Sequence, residues 1–219
     1  MGRQTATRRK APQTLQGDAP SAPQDPRAAR REAILAAALD EFSSQGFTAA
    51  RLEDVARRAG IAKGTIYLYF RDKETLFQEL VRSMLTPVIG TVEALRDVDV
   101  PMRTLSEHLL DIFVDQILST RRREVIRLMI AEGRRFPKLA EFYHREVISR
   151  IFAAVRVVLE RAAARGEVPP ALAQFPQLLA APGLVAVVWT GLFDKYEPLD
   201  ARAMLRAYFD MLFSLGAKS

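Results

Sequence analysis

The chain has 219 residues, 49% of them hydrophobic, which suffices for one large or two small domains with a core. It contains no cysteine, which excludes disulfides, zinc held by thiolates and cysteine nucleophiles, and gives no sign of an oxidising compartment. The formal charge of +6 favours an anionic partner and leans towards the first 82 residues, with 14 Lys and Arg against 10 acidic residues there and 18 against 16 beyond.

Residues 1–26 hold Pro12, Pro20, Pro23 and Pro26, many small polar residues and only Leu15 as a large aliphatic side chain after Met1. They cannot bury enough surface to order themselves, and a disordered basic tail is expected, with Arg8, Arg9 and Lys10 available for non-specific phosphate contacts. The start MGRQTATRRKAPQ lacks the apolar core of a signal peptide. The longest apolar run, 178–193, is broken by Pro182, Gly183 and Gly191 and is shorter than the roughly 20 residues that span a bilayer. No membrane partner and a cytoplasmic location are expected.

From Pro26 onward the pattern is helical, without sustained strand-like alternation. A first helix is predicted over 27–45, with Ile34, Leu35, Ala38, Leu39 and Phe42 on one face; Gly46 stops it and Phe47 folds back. Residues 51–70, RLEDVARRAGIAKGTIYLYF, have the spacing of a DNA-binding helix-turn-helix. Counting from Leu52, Val55 is fourth, Ala56 fifth, Gly60 ninth and Ile66 fifteenth, so two short helices share an apolar seam that Phe70 completes. Ala56 permits close approach, and Gly60 takes the left-handed conformation that turns the chain.

The second short helix is the one that enters a major groove, its N-terminal residues meeting base edges. Lys63, Gly64, Thr65 and Tyr67 are therefore the exposed candidates. Lys63 donates to guanine or phosphate, Gly64 allows backbone approach, and Thr65 brings a hydroxyl and a methyl. Tyr69 reaches a phosphate through its hydroxyl. Asp72 is expected to cap a fourth helix with Leu76, Phe77, Leu80, Val81 and Met84 inside. Lys73 opposes that helix's dipole. Either a DNA phosphate compensates, or Lys73 is solvated beside Asp72 and Glu74.

The stretch AILAAALDEFSSQGFTAARLEDVARRAGIAKGTIYLYFRDKETLFQELV resembles the N-terminal domain of TetR-type transcriptional regulators over roughly residues 28–85. The resemblance implies an all-α homodimer: an N-terminal three-helix helix-turn-helix head (27–88) plus a larger C-terminal helical ligand-binding and dimerisation domain (89–219). It implies a repressor more often than an activator, bound to a near-palindromic double-stranded DNA operator and released by a small molecule. Its DNA contacts fall on Lys63, Gly64, Thr65, Tyr67, Tyr69 and Lys73. The chain departs from the family pattern at Ala50, Arg51 and Ala62, where hydroxyl residues are common; losing such a cap costs about 1 kcal/mol. Thr48 is the nearest substitute for the first cap, and Arg51 offers phosphate a charged contact instead.

Beyond residue 88, helices are predicted over 102–119, 122–134, 137–165, 175–194 and 200–215, punctuated by proline and glycine. The segment VIRLMIAEGRRFPKLAEFYHREVI resembles the C-terminal domain of one TetR subgroup. The last two helices are the expected dimer seam, through Leu184, Val188, Leu205, Tyr208, Phe209 and Leu212, in the four-helix bundle the family implies. Phe113, Met129, Phe136, Tyr143, Trp189 and Phe193 are the candidate lining of a pocket for a hydrophobic effector.

His108, Asp111 and Asp115 share a helical face and suggest a metal-dependent enzyme as an alternative, yet a solvated acidic face accounts for them with less. No Ser-His-Asp order, phosphate loop or dinucleotide fingerprint is present, so no cofactor, metal or catalytic residue is expected. A helical interaction protein that has lost operator binding is the remaining alternative.

Overall fold

The computed structural model describes residues 25–216. The expected tail lies outside the described residues except for its last two: Asp25 accepts from the Arg27 amide at 3.0 Å and caps helix α1 (Pro26–Ala49), whose first residue is proline. Inside α1 the helical path breaks at Gly46, with φ of 74°, as the predicted stop at that residue requires. Phe47 then packs on Phe42 at 5.4 Å and on Phe77 at 5.5 Å between ring centroids.

Helices α2 (Leu52–Arg58) and α3 (Lys63–Ile66) follow, then α4 (Lys73–Ala94), capped by the Asp72 carboxylate accepting from the Thr75 amide at 2.7 Å. Leu76, Phe77, Leu80 and Val81 of α4 join Ile34, Phe42, Phe47, Val55, Ile66 and Phe70 in the core of the head. Val125 and Leu128 of α6 (Arg122–Glu132) belong to the same core, so head and body share one interior. Helix α4 runs unbroken past residue 88 to Ala94. The boundary expected there falls within a helix, because its apolar stripe continues from one core into the next. Pro87 lies inside this helix, and the Thr91 hydroxyl donates to the Pro87 carbonyl at 3.1 Å.

The body continues through α5 (Met102–Asp111), α7 (Pro137–Tyr143), α8 (Ser149–Ala164), α9 (Pro170–Gln174), α10 (Gln177–Leu192) and α11 (Ala201–Gly216). Two predicted helices contain wider π-helical turns, Ile112–Leu118 after α5 and His144–Ile148 between α7 and α8. The first ends with the Ser119 amide donating to the Val114 carbonyl at 2.8 Å. Such turns occur mostly at functional sites, and hydrophobic periodicity does not reveal them. Among the described residues no strand occurs, and no helix is long and apolar enough to cross a membrane.

Candidate nucleic-acid interface and apolar cavity

The helix-turn-helix is built as its spacing requires. Leu52, Val55, Ala56, Ile66 and Phe70 are all buried along the seam. Gly60 has φ of 67°, and the following Ile61 amide donates to the Ala56 carbonyl at 3.0 Å. The recognition helix is a single turn, extended by amide bonds from Leu68 to Thr65 at 3.1 Å and from Tyr69 and Phe70 to Ile66 at 3.0 and 2.9 Å.

Neither short helix has a side-chain cap: Arg51 and Ala62 occupy the cap positions with extended backbone. Thr48 does not supply the first cap. Its hydroxyl lies instead 3.5 Å from Glu132 Oε2, because the turn after Gly46 aims it at α6.

Arg51, Lys63, Gly64 and Tyr67 are exposed, whereas Thr65 and Tyr69 are half-buried. Arg27 lies over the Tyr69 ring at 6.0 Å. Lys63 pairs with Glu53 at 2.5 Å, and that hydrogen bond and charge hold its ammonium above the usual lysine value.

Lys73 has partners within the head that its own helix does not reveal. Its ammonium donates to the carbonyls of Phe47, Thr48 and Ala50 at 2.6, 3.0 and 3.0 Å and stands 4.7 Å from the Phe47 ring centre. An ammonium has three donors, and all three are directed at these carbonyls, with one side of the group still open to water. It closes the C-terminal turn of α1, where orphan carbonyls and the negative end of the dipole favour a cation. Burial lowers its pKa, against the opposing charges of Glu132 and Glu74.

An open groove of about 530 Å³ brings Arg51, Glu53, Tyr67, Arg71 and Asp72 together between the N-termini of α2 and α4. Arg71 donates to Asp72 at 3.0 Å and to the Thr75 hydroxyl at 3.1 Å; with the Thr75 bonds first in effect, these hold Asp72 below the usual carboxylate range. Sequence reading does not single out Arg71 or the highly exposed Leu68, at 76%. A basic residue immediately before an N-cap is a signal for the first. Leu68 sits between seam residues 66 and 70, and the apolar pattern cannot distinguish it from them.

The body holds a partly open cavity of about 260 Å³. Its walls come from α4 (Val88, Ile89), the first π turn (Phe113, Ile117), Tyr143, and α10 and α11 (Val187, Phe209). Gly183 lets α10 lie against Phe113, since a β-carbon there would stand 3.0 Å from the ring. Arg122 ties the wall to the head by donating to the Met84 carbonyl at 2.6 Å and the Gln116 carbonyl at 2.9 Å.

Of the expected pocket residues, Phe113 and Tyr143 line this cavity. Met129 and Phe136 pack instead into the head core, Phe136 edge-on to Phe47 at 4.7 Å. Trp189 and Phe193 pair with each other at 5.2 Å near the end of α10, and the Trp189 indole donates to the Glu197 carbonyl at 2.9 Å. Aromatic residues at helical spacing satisfy a core or a helix end as readily as a pocket, which is why four of the six fall elsewhere.

The expected seam divides similarly. Leu205 and Phe209 are buried in the protomer, and Leu212 is half-buried against the same cores. Tyr208 donates to the Leu178 carbonyl at 2.6 Å. Leu184 and Val188 remain exposed, as do Leu178, Val185, Leu192 and Met211. Asp111 and Asp115 both pair with Arg202, at 2.5 and 2.7 Å, and His108 is exposed; an arginine completes that acidic face.

A buried-seam helix-turn-helix joined through a shared core to an all-helical body with an apolar cavity defines a regulator of the one-chain, helix-turn-helix class. Residues 34–80 match the family of bacterial regulatory proteins of the tetR type, and residues 106–212 match the tetracyclin repressor-like C-terminal domain. The chain belongs to the TetR family of transcriptional regulators, whose members are regulators and not enzymes. It is 37% identical over 81 residues to the HTH-type transcriptional regulator RutR of Escherichia coli, a match that takes in 37% of this chain and spans only 38% of RutR.

Solved structures extend the likeness in fold to the body. The fatty acid degradation regulator FadR of Bacillus halodurans matches with a TM-score of 0.67 at 20% identity, over 84% of this chain and 94% of FadR. SmeT, the repressor of a Stenotrophomonas maltophilia multidrug efflux pump, matches with a TM-score of 0.67 at 21% identity, over 84% of this chain and 89% of SmeT. SmeT has also been solved in complex with triclosan.

Proposed function

We propose that this chain is a ligand-responsive repressor that binds a near-palindromic operator as a homodimer and lets go when a small apolar molecule fills the body cavity. The observation that carries the DNA reading is the disposition of the helix-turn-helix, with seam residues inward and Arg51, Lys63, Gly64 and Tyr67 outward. Arg51 and Arg71, flanking the groove between two helix N-termini, serve as phosphate anchors. Lys63, Gly64, Thr65 and Tyr67 read bases and sugars, and Tyr69 contacts a phosphate. The head takes residues 27–88 and the body 89–219, with α4 common to both.

The homodimer rests on the exposed apolar face of α10, Leu184 to Leu192. A self-complementary patch of this kind closes a two-fold pair. Repression and effector release are supported by likeness to SmeT, a repressor also solved with triclosan.

The test is fluorescence anisotropy with duplexes from the gene's own upstream region and an unrelated duplex. Specific binding should weaken steeply with salt, by roughly one unit of log–log slope per phosphate contact. Tyr67→Ala should abolish the preference, whereas Arg51→Ala should weaken both duplexes alike and lower the salt slope by about 1. Absent or salt-insensitive binding would overturn the regulator reading and favour a helical interaction protein.

A further inference from the structure

Tyr143 ends α7 immediately before the second π turn, and it lines the cavity. Every other side chain in the wall is a hydrocarbon: leucine, isoleucine, valine, phenylalanine, alanine, proline or glycine. The Tyr143 hydroxyl makes no hydrogen bond with any described residue, while its ring packs against the head core. A phenylalanine would fill the same space, so packing alone does not call for the hydroxyl. The hydroxyl is not sealed from solvent, so water serves it in the ligand-free protein, and an effector that displaces this water has to replace its hydrogen bond.

From this we propose that Tyr143 is the specificity-determining residue for the effector, and that the effector is a neutral, largely apolar molecule carrying one hydrogen-bonding oxygen: a ketone, ester, phenol or alcohol. The inference rests on the reading of this cavity as the effector site. A carboxylate or ammonium is disfavoured against this wall, since no lining side chain carries a compensating charge and an ion desolvated there would be unpaired. The phenol can donate and accept. Burial pushes it up to about 12, so it stays protonated and remains a donor throughout the neutral range. Size narrows the class further. An apolar cavity of about 150 Å³ holds benzene, so 260 Å³ accommodates one ring with a short chain or a comparable aliphatic body.

Three probes of similar shape test this on the full chain: butyrophenone, butylbenzene and phenylbutyrate, titrated calorimetrically into the unaltered protein and Tyr143→Phe. Butyrophenone should bind the unaltered protein about tenfold more tightly than butylbenzene, the yield expected of one well-made hydrogen bond. Tyr143→Phe should remove that advantage and leave butylbenzene within about twofold, with phenylbutyrate weakest throughout. Ligand-free Tyr143→Phe should melt at the same temperature or higher, because its hydroxyl has no protein partner to lose.

Equal butyrophenone affinity in the two proteins, tightest binding of phenylbutyrate, or a lowered ligand-free Tm in Tyr143→Phe would each overturn the role of Tyr143 and leave the cavity reading intact. Failure of all three probes, butylbenzene included, to bind the folded protein would overturn both.

Discussion

Replacing Lys73 with methionine keeps the apolar stem and removes the ammonium from three carbonyls. Two of those bonds, to Phe47 at 2.6 Å and Ala50 at 3.0 Å, are partly buried, whereas the bond to Thr48 at 3.0 Å is exposed. A bond to a charged group contributes about 1.5–3 kcal/mol when desolvated. Water screens this ammonium from one side, so about 1 kcal/mol for each partly buried bond is the appropriate scale, with little from the third. The Phe47 ring beneath it adds about 0.5 kcal/mol. The sum is about 2.5 kcal/mol, which in a protein of this size lowers Tm by roughly 5–10 °C. Calorimetric melting gives the loss, and the salt dependence of DNA affinity gives the discrimination. With Lys73 committed to the end of α1, Tm falls and the salt slope is preserved. An unchanged Tm together with a salt slope reduced by about 1 would mark Lys73 as a phosphate contact and refute the reasoning.

Gly46→Ala forces a β-carbon onto a backbone with φ of 74° and should cost about 1–2 kcal/mol in urea unfolding; Gly60→Ala, at φ of 67° with nothing within 4 Å of the new carbon, isolates the backbone part. At Gly46 the added carbon also lies 2.7 Å from Glu132 Oε1, so a larger loss there measures that contact. Val188→Glu on the exposed face of α10 should give a folded monomer by analytical ultracentrifugation with much weaker operator binding; a persistent dimer would place the seam elsewhere. Glu93 of α4 is held below its ordinary 4.5 chiefly by hydrogen bonds from Arg150 of α8, at 2.9 and 2.7 Å. Between the folded value and 4.5 the unfolded chain binds more protons, so this stabilisation is complete above 4.5 and is lost as pH falls through the folded value. Arg150→Met should flatten that acid limb in pH-dependent chemical denaturation, and an unchanged limb would remove the pair from the account.

The head is legible because its rules are local. Gly46 and Gly60 mark left-handed turns, Asp72 marks an N-cap, and the 3.6-residue spacing of Val55, Ile66 and Phe70 marks the seam. The body is legible as helices but not as surfaces. A leucine on α10 and a leucine on α11 look alike in sequence, yet Leu184 is exposed and Leu205 buried, because burial depends on neighbours distant in the chain, such as Leu110 for Leu205. The partners of Lys73 are illegible for the same reason. They lie 23 to 26 residues earlier, and a reading confined to its own helix sees only an unfavourable dipole. The π turns, which shape the cavity wall, leave no periodic trace at all.

Pro87 withholds the amide that would otherwise bind the Ser83 carbonyl, so α4 lacks one rung of its ladder. Around the gap the two interiors overlap: Leu76 to Leu85 and Ile89 belong to the head core, Val88 and Val92 to the second, and Leu85, Val88, Ile89 and Val92 all line the cavity. The helix that links the head core to the cavity wall is thus the one whose ladder is incomplete at mid-length.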